Sequence, residues 1–323
     1  MELSIIFVNW NSVNYLRDCI ASIYEYTQGV SLEIIVVDNA SPEGGLGALG
    51  QQFPKVNIIR SSENLGFARA NNLGSRHSSG KYLLFLNPDT RLVTQAIDIM
   101  LEHMKSLPDA GIVGCKHLSP DLSVQTCAIQ KFPTILNQVL GIEQLRRRWP
   151  HCRLWEISPL FSNNAKPTKV EVIPGACMML RREVFERVGG FSEDYFMYAE
   201  DIDLNYKVAC LGLDNYYVGE AAIIHYGGQS SRHQKVSQWA TIMKFKAMLH
   251  FYMKTRGRVY AAMYRAAMGC VAMGRLIILA LMFPLGGFVW DKGSIREASA
   301  KWSAVLKWAA GLDDRTLRTT STP

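Results

Sequence analysis

Three apolar runs in the first ninety residues each end on short polar side chains. Ser4-Ile5-Ile6-Phe7-Val8 leads to Asn9-Trp10-Asn11, Glu33-Ile34-Ile35-Val36-Val37 to Asp38-Asn39-Ala40, and Tyr82-Leu83-Leu84-Phe85-Leu86 to Asn87-Pro88-Asp89. Runs that are apolar at nearly every position suit central strands of a parallel sheet covered on both faces. Between them the apolar period lengthens to that of helices. Val13–Tyr26 carries Leu16, Ile20 and Ile23 on one side, Ala68–His77 forms a second helix, and Thr94–Ser106 a third that stops before Pro108. Gly44–Gln52 reads as a weak helix or loop and Val56–Arg60 as a short strand. The alternation predicts an α/β fold with a doubly wound, mainly parallel, Rossmann-like sheet. Ligands of such sheets bind beyond the carboxyl ends of the strands. Asp38 and Asp89 are therefore expected on one rim, facing a common crevice.

Farther on the pattern is less regular. Gly111–Val124 reads as a hairpin, with Ile112-Val113-Gly114 paired after a Ser119-Pro120-Asp121 turn. Residues 125–169, with Arg146-Arg147-Arg148 and several Pro, Asn and Ser, read as an excursion over the active face. Order returns at Lys169–Ile173, at Ala176–Leu180 and in a helix from Arg182 to Val188. From Thr241 onward the pattern is helical and amphipathic. This divides the chain into a catalytic domain, 1–240, and a basic amphipathic helical region, 241–323. Leu276 to Trp290 contains no charge, but it is 15 residues long and broken by Pro284, Gly286 and Gly287. A spanning helix needs about 20 apolar residues. A helix lying in the membrane interface or a shallow re-entrant hairpin fits better, the alternative being a helix buried against the domain.

Charge sharpens the division. The chain of 323 residues has a net charge of +7. From Thr241 to the end there are 13 Lys and Arg against 4 Asp and Glu, while the preceding 240 residues carry 22 against 24. All the excess positive charge thus sits in the tail, which points to an anionic surface, a membrane or a nucleic acid. The seven cysteines are scattered and never spaced as CxxC, which disfavours a zinc site or a disulfide framework and indicates a reducing compartment. Met1-Glu2-Leu3 runs directly into the first strand, so no signal peptide is expected.

Several polar groups can carry chemistry. Asp89, at the end of a buried strand, must be solvated, hydrogen-bonded or bound to a cation. A hard divalent cation bridging to a diphosphate would satisfy it, and so would a capping or turn-forming role. The Asp38 carboxylate could accept the N3–H of a pyrimidine, or cap a strand-to-helix turn. Asn64-Leu65-Gly66-Phe67-Ala68-Arg69-Ala70-Asn71-Asn72 opens a helix whose backbone N–H groups could meet phosphate or sugar oxygens. Glu200, Asp201 and Asp203 gather near one helix start behind Tyr195-Phe196-Met197-Tyr198. Acids there are dipole partners, and one against aromatic walls can be a general base toward an alcohol. His225 follows Ala221-Ala222-Ile223-Ile224 and could ligate a cation, contact a diphosphate or serve a structural role.

Taken in order, these motifs resemble the family-2 inverting glycosyltransferases of GT-A fold, in the rhamnosyltransferase-like branch that builds bacterial surface polysaccharides. The likeness covers about residues 1–255. It runs through Asn9-Trp10-Asn11, Val37 to Ser41, Asn64 to Asn72, Asn87-Pro88-Asp89, Pro174-Gly175-Ala176, the Glu200 to Leu204 block, and His225 followed by Gly and Ser.

The resemblance implies that Asp38 recognises the base and that Asn9 and Asn11 line the nucleoside pocket, with Asn64, Gly66 and Arg69 among the nucleotide contacts. It assigns Asp89 and His225 to a Mg²⁺ or Mn²⁺ ion on the diphosphate and Asp201 to deprotonating the acceptor hydroxyl. Glu200, Asp203 and Gly175 become acceptor or donor contacts. The implied reaction moves a sugar from a nucleotide-diphosphate-sugar donor to a polyprenyl-diphosphate-linked glycan acceptor. It would run at the cytoplasmic face of the plasma membrane, with a membrane surface and no nucleic acid as partner. Two departures stand out. Asn87 replaces the first acid of the family's Asp-x-Asp metal motif, and Lys207 stands where Arg is commoner. A nucleotidyltransferase or a dehydrogenase would open on a Gly-rich loop after the first strand, where this chain has Asn9-Trp10-Asn11-Ser12. A catalytically silent sugar-nucleotide or glycan binder would have no use for the Glu200-Asp201 pair.

Overall fold

The computed structural model describes residues 1–162, 166–227, 238–283 and 292–312. The chain opens with β1 (Leu3–Asn9), α1 (Val13–Tyr26), β2 (Leu32–Asp38), α2 (Leu46–Gln52), β3 (Val56–Arg60) and α3 (Gly66–Arg76). It continues through β4 (Tyr82–Leu86), β5 (Thr90–Leu92), α4 (Ala96–Ser106) and β6 (Ala110–Leu118). Two short helices, α5 (Ile135–Leu140) and α6 (Glu143–Arg148), precede β7 (Thr168–Val170), β8 (Cys177–Arg181), α7 (Arg182–Arg187), α8 (Glu200–Cys210) and β9 (Asp214–His225). Helices α9 (Gln238–Met282) and α10 (Lys292–Ala309) follow.

The chain forms two compact units. The first is built from Met1–Phe132, Gly141–Phe196 and the stretch from Glu200 through β9, and the second from Pro133–Leu140, Met197–Ala199 and the segments from Gln238 onward. The boundary between them threads through the chain rather than falling at one position.

In the first unit, nine described strands form one sheet ordered β3-β2-β1-β4-β8-β6-β9-β5, with β7 pairing β9 off the path. The β3-β2-β1-β4 half is parallel, as the uniformly apolar runs require. β1 sends Leu3, Ile5 and Phe7 to one face against Leu16, Ile20 and Ile23 of α1 and Met100 and Leu101 of α4. Ile6 points to the other face, together with Phe85 of β4, because successive strand side chains alternate. There Phe85 packs against Phe185 and Phe191 with ring centroids 4.9 Å away in each case.

The sheet as a whole is mixed. β8 runs antiparallel to both β4 and β6, and β9 is parallel to β6 but antiparallel to β5 and β7. The hairpin expected over 111–124 is reduced to one bridge, Leu118↔Val124. β6 instead lies between β8 and β9. A strand this buried needs a ladder partner on each side, and the polar residues after the Ser119 turn supply neither. Within 125–169, α5 and α6 are short helices joined by irregular chain.

In the second unit, α9 bends at Gly257, where φ is 83°. Ala261, Tyr264, Met268 and Ala272 form its buried face, and Ile295, Val305 and Trp308 are buried on α10. Arg265 fastens the two helices, donating from Nη2 to the Trp308 carbonyl at 2.7 Å. Val259, Met263, Met273, Ile277, Ile278 and Leu281 are exposed on α9, at helical spacing along one stripe. Trp239–Met282 is long and apolar enough to cross a membrane, and only 17% of its most apolar window is buried. The Pro284 to Trp290 part of the expected apolar segment lies outside the described residues.

Removing the Phe85 ring should open a cavity beneath Phe185 and Phe191. Phe85→Ala is expected to lower the unfolding free energy by about 3–5 kcal/mol, read as a fall in urea midpoint with an unchanged slope.

Candidate active site

The carboxyl ends of β1, β2 and β4 meet at one rim. Asn9 pairs with Asp38 in the β1–β2 register. The β1–β4 ladder ends at Ile6↔Phe85, and three residues beyond it on each strand stand Asn9 and Pro88. Two of the six described non-glycine residues with positive φ belong to these loops, Asn11 at 51° and Ala40 at 58°. Strained backbone of this kind clusters at functional sites.

Asn9 differs from its expected role. It is fully buried and its amide is consumed within the protein. Nδ2 donates to Asp38 Oδ1 and to Ser41 Oγ, both at 3.1 Å, and Oδ1 accepts from Ser12 Oγ at 3.0 Å. It braces Asp38 instead of lining a pocket. Asn11 is likewise tied to the next loop, its N–H donating to Ser41 Oγ and its Oδ1 accepting from the Glu43 N–H.

The β2 and α3 loops are stitched by two asparagines. Asn39 donates to Asn64 Oδ1 at 2.8 Å and accepts the Leu65 N–H at 2.8 Å, and Asn64 Oδ1 also accepts the Gly66 N–H. Gly66 has φ 77°, and a Cβ there would fall 2.3 Å from the Phe196 carbonyl oxygen. That oxygen accepts the Phe67 N–H at 3.0 Å, so only glycine fits. Arg69 lies apart from this group, more than half exposed, with Nε 3.9 Å from Glu193.

The antiparallel strands bring in the remaining residues. Since β8 begins where β4 ends, Ala176 O accepts the Asn87 N–H at 2.9 Å. Gly175, one residue earlier, donates its N–H to Asp201 Oδ2 at 2.9 Å. A Cβ on Gly175 would come within 3.3 Å of the Asp201 Cβ, so the missing side chain permits the approach. Asp201 Oδ1 accepts the Ile202 N–H. Beneath, buried Asn205 donates to the carbonyls of Asp201 and Ile173 and accepts the Ile173 N–H, and Asn215 donates to Asn205 Oδ1.

The two carboxyls opening α8 are both raised by burial. Burial, and then the neighbouring Asp201 charge, raise Glu200 from 4.5 to about 8. Its Oε2 is buried with no hydrogen-bond partner among the described residues. Asp201 is raised by burial, but the backbone N–H groups of Gly175 and Ile202 oppose the shift. At neutral pH Glu200 therefore holds its proton. Asp203 faces inward, held by Ser192 Oγ, the Tyr195 hydroxyl and Lys207, so its carboxylate is engaged within the protein. Lys207 also donates to the Gly190 carbonyl and Ser192 Oγ, which ties the basic residue to the loop before α8.

β5 and β9 complete the rim. Thr90 pairs with His225, and the Tyr226 N–H donates to Asp89 O at 2.9 Å. Asp89 Oδ1 and His225 Nε2 stand 3.6 Å apart. An imidazole and a carboxylate converging from two strands fit a hard divalent cation whose other ligands come from a diphosphate and water. Among the described residues no three His, Cys, Asp or Glu side chains form a closed cage, and such a cation keeps open positions for its substrate. Asn87, at the first position of the metal motif, holds the loop through its backbone, its N–H donating to the Ala176 carbonyl and its backbone carbonyl accepting from Thr90 Oγ1. Gly228 to Ser230, the end of the His-Gly-Ser motif, lie outside the described residues.

Residues 4–189 match the sequence pattern of Glycosyl transferase family 2. The chain belongs to that family. Its relatives include the N-acetylglucosaminyl-diphospho-decaprenol L-rhamnosyltransferase of Mycobacterium tuberculosis, 28% identical over 74% of this chain and 80% of that protein. Rhamnosyltransferase WbbL of Escherichia coli is 29% identical over 52% of this chain and 63% of its own length. Among solved structures, the mannosyltransferase PcManGT of Pyrobaculum calidifontis, in complex with GDP-Man and Mn²⁺, superposes with TM-score 0.57 at 15% identity, over 96% of this chain and 86% of that one. The likeness identifies the fold as GT-A. The family-2 chain is thus a glycosyltransferase with rhamnosyltransferase relatives, as its motif order implies.

A proton held only in the folded state makes stability pH-dependent. Between about pH 4.5 and 8 the native chain keeps the Glu200 proton that the unfolded chain has lost, so stability falls as pH rises through that window. Glu200→Gln cannot ionise. Relative to the parent it should gain stability progressively from pH 5 to 8, by up to about 1.4 kcal/mol per pH unit, in melts recorded across that range.

Proposed function

We propose that the chain transfers a sugar, rhamnose by analogy with its relatives, from a nucleotide-diphosphate-sugar to a hydroxyl of a polyprenyl-diphosphate-linked glycan. The transfer inverts the anomeric centre and serves cell-surface polysaccharide synthesis at the cytoplasmic face of the plasma membrane. One observation carries the reading: the Asp201 carboxyl is oriented by the Gly175 N–H and flanked by Glu200, which burial pushes up to about 8. An ionised carboxylate partly withdrawn from water is a competent base toward an alcohol.

In this reading Asp201 removes the acceptor proton as the acceptor oxygen attacks the anomeric carbon from the face opposite the diphosphate. The C–O bond to the diphosphate breaks in the same step, and inversion follows from that single displacement. Gly175 and Asn205 keep the carboxylate aimed, and Asp38, braced by Asn9, faces the base of the donor. Asp89 and His225 would hold Mg²⁺ or Mn²⁺, which when bound neutralises charge developing on the leaving diphosphate. Arg69 and Asp203 are better read as supports of the loop before α8 than as ligand contacts.

The second unit supports a lipid-linked acceptor. The exposed stripe of Val259, Met263, Met273, Ile277, Ile278 and Leu281 suits the boundary between headgroups and acyl chains, and the basic surplus of the tail suits anionic lipid.

Two measurements test the proposal. Asp201→Asn should abolish sugar transfer while leaving donor binding within a few-fold of the parent by calorimetry, and parallel loss of both would remove Asp201 as the base. Glu introduced at both Ile277 and Leu281 should release the chain from anionic liposomes in flotation, with at least a tenfold weaker partition. Undiminished flotation would count against this stripe as the docking face.

A further inference from the structure

Gln125 opens the irregular stretch after β6 and belongs to none of the family's motifs. Its side chain makes two contacts to one residue. Nε2 donates to the His225 carbonyl oxygen at 2.6 Å, and Oε1 lies 3.1 Å from His225 Nδ1. Its own backbone N–H donates to the carbonyl of His117 on β6 at 2.9 Å, which fixes its position beside that strand.

Chemistry decides which end of the amide faces the ring. A carbonyl oxygen can only accept, so the group meeting the His225 carbonyl must be the NH₂, and the group meeting Nδ1 must be the amide oxygen. That oxygen can only accept in turn, so Nδ1 carries a hydrogen. In the neutral imidazole the lone pair then resides on Nε2, the nitrogen 3.6 Å from Asp89 Oδ1. That lone pair and the Asp89 carboxylate converge at a distance a divalent cation between them would satisfy.

We infer that Gln125 is a positioning residue for the metal: it holds His225 in the Nδ1–H tautomer and so presents Nε2, beside Asp89, as a ligand for a divalent cation. The inference rests on the glycosyltransferase reading of Asp89 and His225, and it adds a residue that acts through His225 without touching metal or donor. His117 completes the mount. Its ring meets His225 edge to face at 5.7 Å, and both its nitrogens are buried without a hydrogen-bond partner among the described residues. It serves as a wall for the imidazole and does not compete with Gln125 for Nδ1.

The experiment reads the tautomer first, in metal-free protein carrying ¹⁵N-histidine, at mildly alkaline pH. The His225 resonances, assigned by their loss in His225→Ala, should show a pyrrole-type Nδ1 and a pyridine-type Nε2. The reverse pattern, or protons on both nitrogens, would overturn the inference without any substitution at Gln125. Gln125→Leu should let the two tautomers mix and weaken Mn²⁺ binding, followed by the electron resonance of free Mn²⁺ in the presence of UDP and of TDP, by about 10–100-fold. Gln125→Glu keeps an acceptor for the Nδ1 hydrogen and should lose less Mn²⁺ affinity than Gln125→Leu at the same pH. Asp89→Asn separates the two ideas. If it leaves Mn²⁺ binding unchanged, the metal reading of the site fails. If it weakens binding while Gln125→Leu does not, the metal reading stands and the role of Gln125 is lost.

Discussion

The reversal of strand direction at the middle of the sheet is the constraint on which the site depends. In a wholly parallel sheet, this rim would collect only the carboxyl ends of strands. Here β8 runs against β4, so the Pro174-Gly175-Ala176 segment that starts one strand meets the Asn87-Pro88-Asp89 segment that ends the other. The same logic operates at the edge, where β9 ends on His225 opposite the start of β5 at Thr90. Two antiparallel ladders thus bring residues more than eighty positions apart onto the rim that the parallel half presents, and backbone hydrogen bonds fix them there.

Around this rim the supporting residues are mostly amides. Asn9, Asn39, Asn64, Asn205, Asn215 and Gln125 each bridge two backbone or side-chain groups. An amide donates and accepts at once without carrying charge, so it satisfies loop backbone where water is excluded. At α8 a buried Glu200 is pushed up to about 8 beside Asp201, and the backbone N–H of Gly175 opposes the rise at Asp201.

The second unit follows different rules. Its helices bury one face around Tyr264, Trp308 and Phe251, while α9 leaves large apolar side chains in the open. Lys244 stands over the Tyr198 ring at 4.9 Å and the Tyr260 hydroxyl accepts the Ile135 N–H at 3.0 Å, so this unit also holds two short segments drawn from the middle of the chain. One of them carries the left-handed Tyr198 and Ala199. Strain of that kind persists where surrounding packing over-determines the backbone.

Much of the architecture was legible in the sequence because period reports burial. The uniformly apolar runs located β1, β2 and β4 and their polar ends, Val13–Tyr26 emerged with its predicted bounds, and the order of short motifs was enough to identify the family. What the sequence could not determine was which strands pair. The apolar stretch at 111–118 reads alike whether its partner is a local hairpin or the distant β8 and β9, since both bury it equally. Nor did Asn9 or Asp203 announce that their polar atoms are consumed internally, or Gln125 that it faces His225, because a polar side chain has the same letter whether it meets solvent, ligand or a neighbour. Those assignments depend on the direction in which each strand is laid down, which only the assembled sheet decides.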